Sequence, residues 1–147
     1  MLYFAYGSNM HPGQMQKRCP RCTVIATARL RDHQLAFSRL SATWRGGGVA
    51  NIQPATGSIV EGVVWEITEA HREALDRYED YPVSYTRKDV MVESFDGRTL
   101  TAFAYFARPA GAYKPSRRYL QQIIEGARAH HLSPGYIAFL ETIPTED

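Results

Sequence analysis

Residues 1–10 read MLYFAYGSNM, an apolar run that stops abruptly at Gly7-Ser8-Asn9. Residues 2–6 combine aromatic and aliphatic side chains and predict a buried strand. The short polar residues that follow are typical of a turn with free backbone N–H groups, which can bind a carboxylate, a phosphate or a developing oxyanion. The turn lacks the lysine of a P-loop and the G-x-S-x-G pattern of a nucleophile elbow. An ordinary turn capped by Ser8 and Asn9 is the simpler alternative.

The rest of the chain predicts a mixture of strands and helices. Further strands are expected at residues 23–30, 33–40, 49–53, 59–67, 84–94 and 98–106, the last two joined at Asp96-Gly97. Helices are expected at residues 11–18, 68–79, 116–131 and 134–143, with Thr68 and Ser116 as N-caps. This order predicts an α+β fold, a barrel-like mixed sheet with helices packed outside, in one domain over residues 1–147.

Composition excludes several classes of protein. The 147 residues suffice for one core, and 44% hydrophobic and 22% charged residues are typical of globular proteins. Seventeen basic residues are interleaved with 15 acidic ones, for a net charge of +2, so we expect no binding to nucleic acid or membrane. No apolar stretch has transmembrane length, and no basic segment precedes the short apolar start. We therefore expect a cytoplasmic protein.

Cys19 and Cys22 form a CxxC motif. A zinc site would need two more ligands, and the nearest histidines, His11 and His33, have none of the usual spacings. A thioredoxin-type motif would open a helix after a strand, whereas a strand is predicted to follow here. We therefore expect no metal site and two reduced thiols outside the chemistry, with reversible oxidation as the alternative.

The helix predicted to end near Glu79 carries the candidate acid or base. Arg72, Asp76 and Asp80 are spaced by four and can neutralise one another on a solvated face. Glu79 instead follows Leu75 by four, on the apolar side, and has no cation at the neighbouring helix positions. Burial and the helix dipole should raise its pKa towards neutrality, which suits general acid–base catalysis. Fraying of this side chain into water is the simpler alternative.

Several motifs occur in a fixed order along the chain. YGSN near residue 6 is followed by ARLRDHQLAF, TWRGGGVANI, the apolar strand VEGVVWEI, LDRYED, SYTRKDV, PSRRYLQQIIEGA and LSPGYIAFLETI. In this order they resemble the gamma-glutamylcyclotransferase family, also called AIG2-like, over nearly the whole chain. The resemblance implies a compact mixed sheet, often barrel-like, with peripheral helices.

The resemblance also implies the roles of individual residues. The YGSN turn, made of Tyr6, Gly7, Ser8 and Asn9, would bind the γ-glutamyl group of a small-molecule substrate through its backbone N–H groups. Glu79, the glutamate of L-D-x-x-E, would be the catalytic acid and base. Tyrosines from later strands and the last long helix would line the same pocket, namely Tyr85, Tyr105 and Tyr119.

The implied enzyme is a cyclising, amide-cleaving acyltransferase or lyase. It would convert the γ-glutamyl group into 5-oxoproline and release a free amino acid or amine. The family members need no metal or organic cofactor, and a homodimer is common among them. Glutathione is disfavoured as the substrate, because glutathione-specific relatives carry a different residue after Y-G-S.

Other readings of the same residues stay open. The pocket could serve a non-catalytic binding or regulatory module, which would not need Glu79. Ser8 could be a nucleophile with His11 as its base, although no third partner is identified. The segment Trp44-Arg45-Gly46-Gly47-Gly48 could form a lid, since glycines allow close approach of backbone to ligand.

Overall fold

The computed structural model describes residues 1–41 and 47–147. The strands are β1 Leu2–Ala5, β2 Thr23–Leu40, β3 Gly48–Glu66, β4 Tyr85–Ser94 and β5 Thr99–Ala107. The helices are α1 Pro12–Arg18, α2 Glu69–Tyr78, α3 Arg117–Ala129 and α4 Pro134–Glu141, and a 3-10 turn covers Ser8–Met10. None of these helices is long and apolar enough to cross a bilayer. Trp44, Arg45 and Gly46 of the predicted lid lie outside the described residues.

The five strands close into a barrel in the order β1-β3-β2-β4-β5. Strand β1 pairs antiparallel with β3, where Tyr3 lies opposite Trp65, and parallel with β5, where it lies opposite Phe103. The predicted α+β fold with a barrel-like sheet is therefore confirmed. Because β1 has only four residues, the chain leaves the barrel at once, and the YGSN turn begins at the end of that strand.

Strands β2 and β3 form one long hairpin, where the sequence predicted four separate strands. The ladder continues past the predicted break, from Arg31 opposite Ile59 to His33 opposite Pro54. The break itself is a bulge, in which Asp32 has a φ of 60° and Gly57 a φ of 85°. The Gly57 amide donates to the Asp32 carboxylate at 2.9 Å. The predicted break was wrong because a bulge admits proline and glycine while the strands continue on both sides.

The helix boundaries follow the capping residues that the sequence predicted. The Thr68 hydroxyl accepts from the His71 amide at 3.1 Å at the start of α2. The Ser116 hydroxyl accepts from the Tyr119 amide at 3.1 Å at the start of α3. Each cap provides an acceptor for an amide that has none within its helix, which stabilises a helix by about 1 kcal/mol.

Helix α3 packs directly on the turn that follows β1. Its apolar side is buried, with Ile123 and Ala127 inaccessible to solvent. Gly126 brings the helix backbone so close that a β-carbon there would lie 2.7 Å from the His11 amide nitrogen and 2.8 Å from the Met10 β-carbon. The missing side chain at this position therefore sets how closely α3 supports the turn.

We expect Gly126→Ala to destabilise the protein by about 1–3 kcal/mol, because the new methyl group forces α3 away from backbone atoms of the turn. Gly135→Ala in α4 is the matched control, since a β-carbon there would meet nothing within 4 Å. The control should leave stability unchanged or raise it by a few tenths of a kcal/mol. Urea denaturation measures both variants, and equal stability of the two would contradict this account of the packing.

Candidate active site

All eight residues that the sequence nominated line one inner cavity at the end of the barrel. The cavity has a volume of about 30 Å³ and is lined by Tyr3, Tyr6, Gly7, Ser8, Asn9, Ala50, Glu79, Tyr85, Tyr105 and Tyr119. A wider outer cavity of about 300 Å³ shares Ser8, Glu79, Tyr85 and Tyr119 with it. The barrel thus brings together residues separated by up to 113 positions in the sequence, between Tyr6 and Tyr119. Their individual roles stay predictions.

Glu79 stands where the two cavities meet, one residue beyond the end of α2. Its amide donates to the Leu75 carbonyl at 2.9 Å, which holds the residue in the last turn instead of letting it fray. Burial raises the pKa of the Glu79 carboxyl group to about 7, and the positive charge of Arg18 opposes that rise. Throughout residues 1–41 and 47–147, no side chain hydrogen-bonds or ion-pairs with this carboxyl group.

Arg18 is the nearby cation that the local helix sequence did not reveal. It comes from the end of α1, 61 positions before Glu79, and lines the outer cavity. Its guanidinium donates to the Asn9 side-chain oxygen at 3.0 Å and lies 4.3 Å from the centre of the Tyr78 ring. Contact between α1 and α2, rather than spacing along either helix, brings this charge to the site.

The YGSN turn is built as the sequence predicted, but the side chain of Asn9 faces the protein. Its amide nitrogen donates to the Tyr3 hydroxyl at 3.0 Å, and its oxygen accepts from Gln14 at 2.8 Å as well as from Arg18. The two backbone hydrogen bonds of the turn are donated by Met10 and His11. The amides before them, of Gly7, Ser8 and Asn9, open the turn, and such leading amides have no acceptor within it.

The absence of a side chain at Gly7 lets the turn approach Ala50 and Tyr119 closely. A β-carbon at this position would lie 3.2 Å from the Ala50 side chain and 3.4 Å from the Tyr119 hydroxyl oxygen. Ala50 belongs to β3 and lines the same cavity, although the sequence analysis did not nominate it. The turn, β3 and α3 therefore meet at one point, and a side chain at residue 7 would press on Ala50.

Five tyrosines surround Glu79 in the inner cavity, one of which, Tyr3, the sequence analysis missed. Burial raises the pKa of every one of the five hydroxyl groups above the ordinary tyrosine value, so all five stay neutral at physiological pH. Strand spacing gave no signal for Tyr3, because alternation along β1 puts it on the same side as Ala5, which does not line the cavity.

Three of these tyrosines donate their hydroxyl protons to acceptors within the protein. The Tyr6 hydroxyl donates to the Tyr105 carbonyl at 2.5 Å, and the Tyr85 hydroxyl donates to the Ala50 carbonyl at 2.8 Å. The Tyr105 hydroxyl donates to the Asp76 carboxylate at 2.7 Å. Each of these oxygens keeps lone pairs but no free proton, so towards the cavity it can only accept hydrogen bonds.

Asp76 does not belong to the solvated charge row that the sequence predicted. Arg72 pairs instead with Glu69 at 2.6 Å. Asp76 binds the Tyr105 hydroxyl and lies 3.0 Å from the Arg87 Nε, with only 20% of its side chain exposed. The prediction was wrong because α2 packs this face against β4 and β5, a contact that helical spacing alone does not show.

The serine-nucleophile alternative lacks its base. The Ser8 hydroxyl accepts from the Gln14 side chain at 2.8 Å. The two ring nitrogens of His11 are engaged elsewhere, Nδ1 with the Gln14 amide at 3.3 Å and Nε2 with Glu125 at 3.1 Å. Within the described chain, no histidine lines either cavity. A hydrolytic Ser–His pair therefore has no support in the geometry.

Neither cysteine joins the site. Both Cys19 and Cys22 are buried free thiols, and burial raises the pKa of Cys19 to about 12. A thiol with such a pKa is protonated and poorly nucleophilic at neutral pH. Over the part of the chain that the structure describes, no cluster of three or more metal-binding side chains is found.

The comparisons with known proteins agree with this fold. The sequence model of the family described as "Gamma-glutamyl cyclotransferase, AIG2-like" matches residues 3–137. Gamma-glutamylcyclotransferases of Bos taurus and Homo sapiens are each 32% identical to the chain, over 99% of its length and 80% of theirs. A solved structure named "Gamma-glutamyl cyclotransferase" superposes with a TM-score of 0.95 at 32% identity, covering all of this chain and 89% of the other.

A more distant structure shows how far the fold extends. The chain superposes on YkqA from Bacillus subtilis with a TM-score of 0.83 at 24% identity, although it covers only 55% of that longer protein. At this identity the likeness concerns the fold alone. The family match and the mammalian relatives carry the assignment, and the chain belongs to the gamma-glutamyl cyclotransferase, AIG2-like family.

Proposed function

We propose that this protein is a gamma-glutamyl cyclotransferase, which releases 5-oxoproline from a γ-glutamyl compound with Glu79 as the acid and base. One observation carries the proposal. A carboxyl group with a pKa of about 7 stands unpaired within the described chain, in a cavity of neutral tyrosines beside a turn with free amides. The names of the mammalian relatives support the same reaction.

The reaction needs one group that can both take and return a proton. The Glu79 carboxylate removes a proton from the substrate α-ammonium, and the freed amine attacks the γ-carbonyl carbon. The new C–N bond closes a five-membered ring, and the old amide C–N bond breaks. The departing nitrogen takes the proton back from Glu79, which ends as a carboxylate. The ring nitrogen passes its surplus proton to the released amine, which leaves as an ammonium ion. A pKa of about 7 suits both transfers, because each form is populated at physiological pH.

The two cavities suggest how the substrate lies. The inner cavity has room for only a few atoms, so it would take the α-amino end of the substrate, while the rest folds back along the residues that both cavities share. Holding the substrate in this folded conformation is the other large contribution to an intramolecular reaction. The amides of Gly7, Ser8 and Asn9 would bind the substrate α-carboxylate or the oxyanion that forms at the γ-carbon. The wider outer cavity would receive the departing amino acid or amine.

The remaining expectations from the resemblance stay predictions. These are the cytoplasmic location, the homodimer, and a single domain over the whole chain. The reaction as written is an intramolecular acyl transfer, and each step uses only the carboxyl group, the turn amides and the substrate. A protein that binds γ-glutamyl compounds without turning them over is the alternative, and release of 5-oxoproline distinguishes the two.

Glu79→Gln should abolish release of 5-oxoproline, because an amide can neither take nor return the proton. The variant and the wild type are incubated with a panel of γ-glutamyl dipeptides and amines, and 5-oxoproline is measured by mass spectrometry. Glu73→Gln, an exposed position on the same helix, is the matched control and should keep full activity. Turnover by the Glu79→Gln variant would exclude this mechanism, and a wild type that binds without turnover would favour the binding module.

The activity should rise with pH on its acid side with a midpoint near 7, because only the deprotonated Glu79 can accept the α-ammonium proton. The quantity to measure is kcat/KM for one substrate between pH 5 and pH 8. Arg18→Gln should move that midpoint to higher pH, since the lost positive charge no longer favours the carboxylate. A midpoint near the ordinary glutamate value would contradict the buried, unpaired state of this group.

Glu79→Gln should also stabilise the fold at alkaline pH. The folded-state pKa of Glu79 is raised from 4.5 to about 7, so its ionisation lowers stability as the pH rises between these values. The difference in free energy of unfolding between variant and wild type should grow by roughly 3 kcal/mol from pH 4 to pH 8.5, taking about 1.4 kcal/mol per pKa unit. Urea titrations at both pH values measure it, and a difference independent of pH would contradict the raised pKa.

A further inference from the structure

The hydrogen-bond directions in the inner cavity point to a role for Asp76 that the reaction scheme does not use. Its carboxylate accepts the Tyr105 hydroxyl proton at 2.7 Å, so that proton points away from the cavity. The Tyr105 oxygen is left with lone pairs only, and it can accept a hydrogen bond but not donate one. Tyr105 lines the cavity that also contains Glu79.

We propose that Asp76 is a positioning residue, which orients the Tyr105 hydroxyl so that its oxygen accepts a hydrogen bond from the α-nitrogen of the substrate. The inference rests on the proposed function, because it concerns the same γ-glutamyl compound. The α-nitrogen carries the only positive charge of a γ-glutamyl group and is its strongest donor. Tyr6, Tyr85 and Tyr105 present oxygens whose protons are bound elsewhere, and such oxygens are complementary to an ammonium group and not to a carboxylate.

The surroundings of Asp76 hold it in one orientation. The Arg87 Nε lies 3.0 Å from the same carboxylate oxygen that Tyr105 binds, and the Arg87 guanidinium lies 4.1 Å from the centre of the Tyr81 ring. The Asp76 carbonyl also accepts from the Tyr81 amide at 2.9 Å, which fixes the backbone at the end of α2. Asp76 thereby joins α2 to β4 and β5, three positions before Glu79.

The ring of Tyr105 is fixed from the other side as well. It packs edge-on against the rings of Tyr3 and Tyr85, with centroid distances of 5.8 and 6.5 Å. Its carbonyl accepts the Tyr6 hydroxyl proton at 2.5 Å. With the ring held in place, the one remaining freedom of this side chain is rotation of its O–H bond, and Asp76 determines that rotation.

The test compares Asp76→Ala with Asp76→Asn. Alanine removes the acceptor and lets the Tyr105 proton turn into the cavity. The value of kcat/KM for γ-glutamyl-alanine should then fall by about 10- to 100-fold, which is the usual effect of losing a hydrogen bond to a charged group. Asparagine keeps a side-chain oxygen that can accept the Tyr105 proton, and the positive charge of Arg87 beside it favours the oxygen over the amide nitrogen at that place, so this variant should stay within about threefold of the wild type. Equal losses in both variants would overturn the proposal.

A substrate analogue separates positioning from a general structural effect. Glutaryl-alanine is γ-glutamyl-alanine without the α-amino group, so it has no donor for Tyr105. Its inhibition constant should change less than about twofold in Asp76→Ala, since no hydrogen bond to a charged donor is lost. A loss of glutaryl-alanine binding as large as the loss of kcat/KM would overturn the proposal and assign Asp76 a structural role only.

A double-mutant cycle tests whether Asp76 acts through Tyr105. Tyr105→Phe alone should reproduce the loss in Asp76→Ala, and the double variant should lose no more than Tyr105→Phe, because the two changes remove one interaction. Multiplied losses in the double variant would overturn the proposal. Circular dichroism shows whether Asp76→Ala folds. If it does not, Asp76→Asn and Tyr105→Phe are compared instead, again with γ-glutamyl-alanine and glutaryl-alanine.

The failure of the proposed function would be distinguishable from the failure of this inference. A folded wild type that makes no 5-oxoproline would contradict the function, whatever the variants do. Dissociation constants measured by calorimetry then replace the kinetic constants. The wild type should still bind γ-glutamyl-alanine more tightly than glutaryl-alanine, and this preference should be lost in both Asp76→Ala and Tyr105→Phe. An active wild type with an unaffected Asp76→Ala variant would contradict the inference alone.

Discussion

The site depends on how the last turn of α2 packs against the barrel. Leu75 is completely buried, and Asp76 next to it binds Tyr105 of β5 and lies against Arg87 of β4. These contacts hold the end of the helix against the barrel, and Glu79 follows in the same turn. A carboxyl group that would otherwise be solvated is therefore kept among tyrosines, where the low polarity raises its pKa.

Because the tyrosines of the inner cavity stay neutral, Glu79 is the residue among its lining that changes protonation near pH 7. Their hydroxyl groups are all neutral at physiological pH because burial penalises the phenolate. A proton taken up in the inner cavity near pH 7 thus has one destination among the lining residues, the Glu79 carboxylate. Arg18 limits the shift, since its charge favours the ionised form, and the balance between burial and this cation sets the value near 7.

Much of this arrangement could be predicted from the sequence, because it follows from local patterns. The strand before Gly7, the caps at Thr68 and Ser116, and the turn at Asp96-Gly97 depend on neighbouring residues, and the structure has each of them. The place of Glu79 on the apolar side of α2 followed from helical spacing. Its raised pKa was also expected, and burial is the main cause of the rise.

What the sequence did not predict depends on contacts between distant segments. Arg18 reaches the site through the packing of α1 near α2, and Asp76 finds its partner 29 positions later in β5. The four predicted strands became one hairpin because β2 and β3 stay paired across a bulge at Asp32. In each case a local pattern was compatible with two outcomes, and closure of the barrel selected one of them.

The groups that line the cavity are complementary in polarity to a zwitterionic head group, as the proposed function requires. Backbone amides of the turn after β1 provide donors, whereas Tyr6, Tyr85 and Tyr105 provide oxygens whose protons are already bound. Donors suit a carboxylate, and acceptors suit an ammonium group. An α-amino acid head group carries both charges on one carbon, so a cavity that offers both kinds of group would fix its direction. The proposed attack at the γ-carbon would need such a fixed direction, with the amine towards Glu79 while the chain folds back.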